Sequence, residues 1–451
     1  MFSPTDTIVA IATPGGRGGI GVVRISGPRA AAVARELLTA GTALPPRYAT
    51  HTFARTARRI DEVVATYFPA PHSYTTEDVV EISAHGSPVL LREIVAAAID
   101  AGARLAEPGE FTFRAFLNGR LDLVQAEAVG DLINAVTPLQ ARVAFDQLEG
   151  TLTGAIGALD ARLFDLVTRL EASLDFPEEG YHFIEPAEVA GALTGVRDGI
   201  DALLGSARVG RMIREGRQIA IVGRPNVGKS TLFNRLVGAD RAIVTAAPGT
   251  TRDLLRETID FDGVQLSLVD TAGIRNVDDE AEREGVARAH GARGVADLVV
   301  VMLDASRPLE EDDRDLLAST RSTPRVVVAN KIDLPRAWIA IDGGERAIDV
   351  SVKSGAGLED MRAAMRRALE IEAPPSDEPL VTNLRHETLL RAARESVDRA
   401  RCAIGEAGET FCEELVLADL SAARHAFEHV VGRRTSDDVL RAIFERFCIG
   451  K

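Results

Sequence analysis

The stretch that decides the fold of the central part of the chain is Gln218–Phe233, QIAIVGRPNVGKSTLF. Four β-prone residues, Ile219 to Val222, precede a G-x-x-x-x-G-K-S pattern, and a helix-forming run follows it. This order of strand, glycine-rich loop and helix is that of a phosphate-binding loop. Its glycines let backbone N–H groups surround phosphate oxygens, where the helix N-terminus adds positive potential. The stretch therefore predicts a nucleotide-binding α/β domain.

We expect the loop itself to contact the phosphates of a nucleotide. Lys229 can reach the β- and γ-phosphates, and the Ser230 hydroxyl can bind Mg²⁺. The expected contacts are Asn226, Val227, Gly228, Lys229, Ser230 and Thr231. The alternative is a plain glycine-rich turn, which the full spacing between a strand and a helix disfavours.

A second motif, Asp270-Thr271-Ala272-Gly273, ends the strand QLSLV. An aspartate at this position can hold Mg²⁺ through water, and a glycine N–H can approach the γ-phosphate. The residue after Gly273 is Ile274, where many small GTPases carry a water-orienting glutamine. Other residues must therefore position the attacking water and neutralise charge in the transition state.

Two further motifs select guanine over adenine. Asn330-Lys331-Ile332-Asp333 follows the strand RVVVA, and its aspartate can accept both guanine N1–H and the exocyclic amine. Adenine would leave this carboxylate unpaired, and the Lys331 stem can cover the base. Ser351-Val352-Lys353 follows the strand AIDV, where a backbone N–H can donate to guanine O6. The ordered motifs predict GTP as the ligand and resemble those of the translation-factor-like class of GTPases.

Lysine is rare in this chain and concentrated in these motifs. Of the 52 Lys and Arg residues only four are lysine: Lys229, Lys331, Lys353 and Lys451. Because arginine occupies all the other basic positions, the four lysines are candidates for sites that need a compact ammonium group.

Catalytic groups are expected in the loop and in the segments that follow the first helix of this domain. Asn226 and the segment TAAPGTT, residues 245–251, offer oxygens suited to a monovalent cation. Thr245, Gly249, Thr250 and Thr251 are expected at the nucleotide, and Thr251 can complete the Mg²⁺ shell. Glu282 can orient water, but a solvated helix acid is an equally good interpretation.

Length and composition limit the function classes. At 451 residues about two to four domains are expected. The 46% apolar and 26% charged residues are typical of a globular protein, and the sequence shows neither a membrane-spanning run nor a secretion signal. Three cysteines fit a cytoplasmic location. The net charge of −15 disfavours a protein that coats nucleic acid, although a local patch still permits RNA as a substrate.

The pattern along the chain predicts a multidomain α/β protein. Residues 1–119 mix strands and helices, residues 120–214 and 375–451 show helical periodicity, and residues 215–374 alternate strands with helices. The arrangement favours one helical domain, discontinuous in sequence, with the nucleotide domain inserted into it. Two separate helical bundles are the alternative.

Three long segments and the C-terminus resemble the tRNA modification GTPase MnmE (TrmE) family. They are DTIVAIATPGGRGGIGVVRISGP (6–28), SYTTEDVVEISAHG (73–86), PGEFTFRAFLNGRLDLVQAEAV (108–129) and the terminal CIGK. The resemblance also covers the GTPase motifs and TAAPGTTRD (245–253). It implies an N-terminal α+β folate-binding and dimerisation domain, a discontinuous α-helical domain, and an inserted P-loop GTPase domain with a mainly parallel sheet.

The same resemblance implies a function, cofactors and partners. A homodimer would hydrolyse GTP with Mg²⁺ and K⁺, and it would form a heterotetramer with an FAD-containing MnmG-type protein. Together they would add a carboxymethylaminomethyl-type or aminomethyl group to the wobble uridine of tRNA, using formyl- or methylene-tetrahydrofolate. A GTP-gated ribosome or RNA assembly factor without folate chemistry is the alternative.

Carried over to this sequence, the resemblance assigns individual residues. The folate site would use Arg24, Glu81, Arg120 and Lys451, where Arg120 stands at a position that is often lysine in the family. The K⁺ ligands would be Asn226, Thr245, Ala247 and Thr250; the Mg²⁺ ligands would be Ser230 and Thr251; Glu282 would orient water. Cys448 in the CIGK tail is either a nucleophile or a structural residue, and Cys402 and Cys412 are expected in helix cores.

Overall fold

The computed structural model describes residues 5–39, 43–56, 58–175, 185–239, 256–270, 296–341, 344–371, 378–406, 413–433 and 435–450. Contacts divide the chain into two compact units. Unit 1 contains Met1–Gly130, Phe145–Arg197 and Ala392–Lys451, and unit 2 contains Asp131–Ala144 and Asp198–Arg391. The domain boundaries proposed from the sequence, at residues 119, 214 and 374, stay a prediction.

Unit 1 is built on a six-stranded sheet with the order β3-β4-β5-β2-β1-β6. The strands are β1 Ile8–Ile11, β2 Gly18–Ser26, β3 Thr50–Arg55, β4 Arg59–Phe68, β5 Val79–Gly86 and β6 Arg104–Leu105. All neighbours are antiparallel except β1 and β6. Helices α1 Ala30–Leu37 and α2 Pro88–Asp100 complete this part. The predicted α+β character of the N-terminal region is confirmed.

Alternating apolar residues place the core on one face of this sheet. In β5 the buried residues Val80 and Ile82 point to the same side, as the two-residue period of a strand requires. They pack with Val23 and Ile25 of β2 and with Ile94 of α2. The opposite side of β2 and β5 is left for polar residues, among them Arg24 and Glu81.

A buried ion cluster joins the first residues of the chain to helix α3, Glu110–Leu117. Arg114, 2% exposed, donates to Asp6 at 2.6 Å and to the fully buried Glu110 at 3.0 Å. Arg104 binds the same two carboxylates at 2.8 and 2.7 Å. Burial lowers the pKa of Arg114, but attraction to Glu77 and the bonds to Glu110 and Asp6 outweigh it and raise the pKa. The Arg114 guanidinium therefore stays charged although it is buried.

We expect Arg114→Ala to lower the free energy of unfolding by about 3–5 kcal/mol, because it removes one partner from a buried ion pair and leaves Glu110 under-compensated. Chemical denaturation monitored by circular dichroism measures the change. Arg92→Ala on α2 is the matched control: Arg92 is exposed, and its removal should cost less than about 0.5 kcal/mol. Equal midpoints for the two variants would contradict a role of the cluster in stability.

Helices form the rest of the chain outside the two sheets. They are α4 Leu123–Asn134, α5 Pro138–Leu148, α6 Thr151–Asp175, α7 Pro186–Glu215, and, towards the C-terminus, Leu384–Glu406, Glu413–Val431 and Asp437–Phe444. Within unit 1, Arg424 binds Asp160 of α6 at 2.8 Å, and Phe444 packs on Phe113 with ring centroids 5.1 Å apart. The predicted helical regions are confirmed.

One cysteine assignment is wrong. Cys402 lies on the helix Leu384–Glu406 as expected, but it is exposed and does not belong to a helix core. The helical period places Ala400 and Ile404 on the buried face instead. Cys412 lies outside the described residues.

Unit 2 is built on a second six-stranded sheet with the order β12-β11-β10-β7-β9-β8. The strands are β7 Arg217–Val222, β8 Arg256–Phe261, β9 Val264–Asp270, β10 Leu298–Asp304, β11 Arg325–Asn330 and β12 Ile348–Val350. All neighbours are parallel except β8 and β9. With α8 Lys229–Ala239, α9 Glu311–Ser319 and α10 Leu358–Ala368, this is the mainly parallel sheet that the sequence predicts.

The central strand β10 explains why this sheet is recognisable from sequence. Its residues Leu298 to Leu303 are completely buried, and alternate residues belong to the apolar clusters on the two faces of the sheet. Parallel strands covered on both faces are continuous apolar runs. The loops that follow their carboxyl ends carry the nucleotide motifs, as in other open α/β sheets.

Among the described residues, no helix combines the length and the apolar character needed to cross a bilayer. The helices of unit 1 and unit 2 alternate buried apolar and exposed polar positions instead.

In the part of the chain that the structure describes, three helices lie towards the C-terminus. Leu384–Glu406 is α11, Glu413–Val431 is α12 and Asp437–Phe444 is α13.

Candidate functional site

The phosphate-binding loop lies between β7 and α8, as the motif predicts. Lys229 Nζ donates to the carbonyl oxygens of Gly223 and Arg224, at 2.7 and 2.9 Å. These two bonds hold the ammonium group across the loop, above the N-terminus of α8. Asn226 has a φ of +63°, a left-handed conformation that asparagine tolerates better than most residues. Asn226, Ser230 and Thr231 are exposed at the open side of the loop.

Asn330 connects the loop to the guanine motifs. Its side-chain amide donates to the Val227 carbonyl at 2.8 Å and accepts from the Val352 N–H at 3.1 Å. A Cβ added to Gly228, which has a φ of +107°, would collide with the Asn330 amide. Glycine is therefore required here for the backbone conformation and for the approach of Asn330. The Val352 N–H thus donates to Asn330 in this structure, and its expected contact with guanine stays a prediction.

The residues expected to read the base lie beside Asn330. The Asp333 carboxylate accepts from the Ser351 hydroxyl at 2.7 Å, and this bond is the main cause that lowers the pKa of Asp333. Lys331, with a φ of +69°, binds Asp304 at 2.6 Å. Burial alone would raise the pKa of Asp304. The hydrogen bonds from Lys331 and Ser306 outweigh this effect, so the pKa of Asp304 is lowered. The structure thus brings the phosphate loop and both guanine motifs to one edge of the sheet.

Several predicted site residues lie outside the described residues. They are Thr245, Ala247, Gly249, Thr250, Thr251, Thr271, Ala272, Gly273, Glu282 and Lys451. Asp270 ends β9 beside Ile221 of β7, which places its backbone at the edge that carries the phosphate loop. The roles of these residues in binding K⁺, Mg²⁺ and water stay predictions.

Unit 1 carries the second group of predicted residues. Arg24 of β2 and Glu81 of β5 are direct cross-strand partners. The Arg24 Nε donates to the Glu81 carboxylate at 2.9 Å, and the two side chains are 14% and 30% exposed. The Arg24 guanidinium lies over the rings of Tyr74 and Phe111, 5.1 and 5.6 Å from their centroids. The Glu81 side chain of this ion pair is therefore still partly in contact with solvent.

Arg120 joins this group from the loop between α3 and α4. Its guanidinium lies 5.3 Å from the Tyr74 centroid and donates to the Ser73 carbonyl. Tyr74 is fixed in turn by a 2.9 Å hydrogen bond between its hydroxyl and Thr112. The structure therefore gathers Arg24, Glu81 and Arg120 around one tyrosine ring.

The C-terminal tail packs against the same unit. Ile449 forms an antiparallel bridge with Pro108, and the Gly109 N–H donates to the Cys448 carbonyl. Gly450 has a φ of +100°, and an added Cβ would collide with the carbonyl of Ile11, the last residue of β1. Since the neighbouring residue of β1, Ala10, pairs with Arg24, the tail lies close to the Arg24 strand. Cys448 is exposed.

Two family models match this chain, one after the other along the sequence. The model described as the TrmE N-terminus, a GTP-binding protein, matches residues 7–120, and the model of the MnmE helical domain matches residues 123–448. The chain belongs to the MnmE family of tRNA modification GTPases. As a member of this family it binds GTP and is a GTP hydrolase of tRNA modification.

Curated relatives agree with the family models over the full length. The tRNA modification GTPases MnmE of Koribacter versatilis (strain Ellin345) and Symbiobacterium thermophilum are each 44% identical, and each match covers 99% of both chains. The MnmE of Aquifex aeolicus (strain VF5) is 42% identical over 99% of this chain and 100% of its own.

Solved structures match locally. Era of Aquifex aeolicus bound to GDP·AlF4⁻ is 25% identical over 40% of this chain and 66% of its own, with a TM-score of 0.28. The G domain of the T. maritima iron transporter FeoB is 25% identical over 34% of this chain and 98% of its own, with a TM-score of 0.25.

Sequence reasoning missed two residues of these sites in this member of the MnmE family. Tyr74 contacts the guanidinium groups of both Arg24 and Arg120, and no local pattern marks it among the other aromatic residues. Asp304 holds Lys331, and its signal is available in the sequence: it is a charged residue at the end of a completely apolar strand, beside the strand that precedes Lys331.

Proposed function

We propose that this protein is a K⁺-stimulated GTPase that, with an FAD-dependent MnmG-type partner, adds an aminomethyl-type group to the wobble uridine of tRNA. The one-carbon unit comes from formyl- or methylene-tetrahydrofolate. The observation that carries the folate part is the Arg24–Glu81 pair, which meets Arg120 around Tyr74 in the unit that carries the CIGK tail.

The chemistry of this pair suits a pterin. The pterin ring has an N3–H and an amino group side by side, which a carboxylate such as Glu81 accepts together, and a neighbouring carbonyl oxygen that a guanidinium such as Arg24 contacts. Arg120 supplies a second cation for the anionic glutamyl part of a folate. Lys451 would add a third, and its neighbour Gly450 packs on β1.

For the nucleotide, Lys229 would neutralise the β- and γ-phosphates and Ser230 would bind Mg²⁺. Thr251 would complete the metal shell, and Glu282 would orient the attacking water. Mg²⁺ held by these two hydroxyl groups would offset phosphate charge, and K⁺ held by Asn226, Thr245, Ala247 and Thr250 would neutralise charge where other GTPases use an arginine. We further propose a homodimer through the N-terminal domains, a heterotetramer with the MnmG-type partner, and a cytoplasmic location.

The decisive experiment is analysis of the wobble base in tRNA from a strain that lacks this protein. We expect the aminomethyl-type modification to disappear and to return when the wild-type gene is supplied. A strain in which the wobble bases are unchanged would refute the proposed function and leave the assembly-factor alternative.

We expect Arg24→Ala to weaken binding of 5-formyltetrahydrofolate by roughly tenfold to thirtyfold, because it removes one charge-assisted contact to the ligand. Equilibrium dialysis with the full chain measures the affinity. Arg55→Ala is the matched control, since Arg55 is an exposed arginine on β3 of the same sheet. If the wild type does not bind the folate, or if Arg24→Ala binds it unchanged, the site is not a folate site.

We expect GTP turnover to be about tenfold or more faster in K⁺ than in Na⁺ at equal ionic strength, because a better-fitting cation removes at least about 1.4 kcal/mol from the barrier. Asn226→Gly should abolish this difference, since glycine accepts the left-handed backbone at this position but supplies no side-chain oxygen. Equal rates in both salts for the wild type would refute the potassium part of the proposal.

A further inference from the structure

A cavity of about 640 Å³ lies within unit 1 and takes no part in nucleotide binding. It opens between the loop that joins α3 to α4, one face of α6, and the C-terminal helices α12 and α13. Ligand pockets for small organic groups typically enclose about 300–1,000 Å³. The cavity is therefore large enough for a nucleoside-sized group.

The walls of the cavity combine apolar surface with hydrogen-bonding groups. Helix α6 contributes Thr153, Ile156, Gly157 and Asp160, whose spacing of three and four residues defines one helix face. Aromatic rings are contributed by Phe116 and Phe427. Flat aromatic and apolar walls with a few polar groups are suited to a planar heterocycle.

The charges of the lining indicate which ligand fits. Carboxylates are contributed by Asp122, Asp160 and Glu428, and guanidinium groups by Arg120 and Arg433. Asp122 is fixed by the Gln125 N–H at 2.8 Å and by Thr153 at 2.7 Å, and Asp160 is fixed by Arg424 at 2.8 Å. With Arg424 counted as the partner of Asp160, the acids and bases balance, so the lining offers no excess of positive charge to an anionic ligand. A neutral ring with N–H donors and carbonyl acceptors can form hydrogen bonds with these carboxylates and guanidinium groups.

The position of the cavity connects it to the proposed folate site. Arg120 lines the cavity, and its guanidinium lies 5.3 Å from the ring centroid of Tyr74, a ring that the Arg24 guanidinium also contacts at 5.1 Å. A ligand in the cavity would therefore contact Arg120, whose guanidinium lies beside the same tyrosine ring as the Arg24 of the proposed pterin site. This is the arrangement that two substrates of one transfer reaction require.

We propose that the cavity receives the extruded wobble uracil of the substrate tRNA. This inference rests on the proposed function. Uracil carries one N–H between two carbonyl oxygens, so it needs a carboxylate flanked by N–H donors, and both kinds of group line the cavity. Enzymes that modify a base take it out of the stack, which costs least in a single-stranded loop. Arg433, Arg441 and Arg446 are exposed on the C-terminal segment that borders the cavity and can contact phosphates.

Gly157→Leu tests the proposal without disturbing the fold. A Cβ at Gly157 meets no atom within 4 Å, so the new side chain extends into the cavity, and leucine favours a helix more than glycine does. Gly154→Leu is the matched control: Gly154 is an exposed glycine on the same helix with the same open surroundings, but it does not line the cavity.

The measurement is the affinity of the full chain for an anticodon stem-loop RNA that carries either uridine or an abasic nucleotide at the wobble position. We expect wild type and Gly154→Leu to bind the uridine form roughly tenfold more tightly, the size of one base–protein stacking contact. Gly157→Leu should lose this difference while GTP turnover and 5-formyltetrahydrofolate affinity stay unchanged.

Other results would overturn the inference. If the wild type does not distinguish the two RNAs, or if Gly157→Leu distinguishes them as well as the wild type does, the cavity does not bind the wobble base. If Gly157→Leu loses folate affinity instead, the cavity belongs to the folate. The proposed function fails separately, when the wild-type protein does not restore the modified wobble base in the deletion strain.

Discussion

Lys229→Ala is expected to lower GTP turnover by roughly 10²–10³-fold, the loss that follows removal of one preorganised group that stabilises transition-state charge. The structure supplies the reason for a loss of this size. Lys229 Nζ is already held by the carbonyl oxygens of Gly223 and Arg224 at 2.7 and 2.9 Å. The ammonium group is therefore in place before the nucleotide arrives, and little reorganisation is needed during the reaction.

The more informative substitution at this position is Lys229→Arg. Arginine replaces lysine almost throughout this chain, yet lysine is kept here. A planar guanidinium group does not fit between two carbonyl oxygens of a tight loop as a compact ammonium group does. We therefore expect Lys229→Arg to lose nearly as much activity as Lys229→Ala.

Single-turnover GTP hydrolysis measures both variants, and thermal unfolding followed by circular dichroism checks that they are folded. Arg235→Ala, on the same helix, is the control and should keep its turnover within about twofold. If Lys229→Arg keeps the wild-type rate, positive charge alone suffices and the scarcity of lysine does not mark functional sites.

The sequence predicts those parts of the structure whose pattern lies within one short stretch of residues. The phosphate loop is defined by residues within one short stretch, and β10 is a continuous apolar run, so both could be predicted. The strand Thr50–Arg55 has a weak local signal, because its sequence, THTFAR, begins and ends with polar residues. It is recognisable only once β4 is beside it.

Contacts between distant residues could not be predicted from spacing. Arg24 and Glu81 are 57 residues apart, and only the register of β2 and β5 makes them neighbours. The contact of Tyr74 with both Arg24 and Arg120 depends on the loop before β5 and on the end of α3. The resemblance to the MnmE family named three of these residues, whereas the tyrosine that joins them follows from tertiary structure alone.

Asp333→Asn is expected to change the base preference of the site from guanine to xanthine. The carboxylate accepts two N–H groups of guanine, whereas an asparagine amide would place one of its own N–H groups against them. A mismatch of this kind between the site and its ligand is worth roughly 10²-fold or more in kcat/KM. Xanthine has a carbonyl oxygen in place of the amine, and this oxygen can accept from the amide. GTP turnover at limiting nucleotide should therefore fall as XTP turnover rises.

The hydrogen bond from Ser351 leads to a second, smaller prediction about the Asp333 carboxylate. Because this bond, first among several causes, lowers the pKa of Asp333, the carboxylate stays ionised at more acidic pH than an ordinary aspartate. The affinity of the wild type for GTP should then be constant from neutral pH down to the usual titration range of aspartate, and it should weaken only below that range. Ser351→Ala should move the loss of affinity to higher pH.

Competition between GTP and XTP for the full chain, followed across pH, measures these effects together. Asp312→Asn, at an exposed aspartate on α9, is the control and should leave base preference unchanged. The opposite outcome for Asp333→Asn, normal GTP turnover without any gain for XTP, would mean that the carboxylate does not contact the base. Guanine would then have to be read by the backbone of Ser351–Lys353 alone, although the Val352 N–H is already bonded to Asn330.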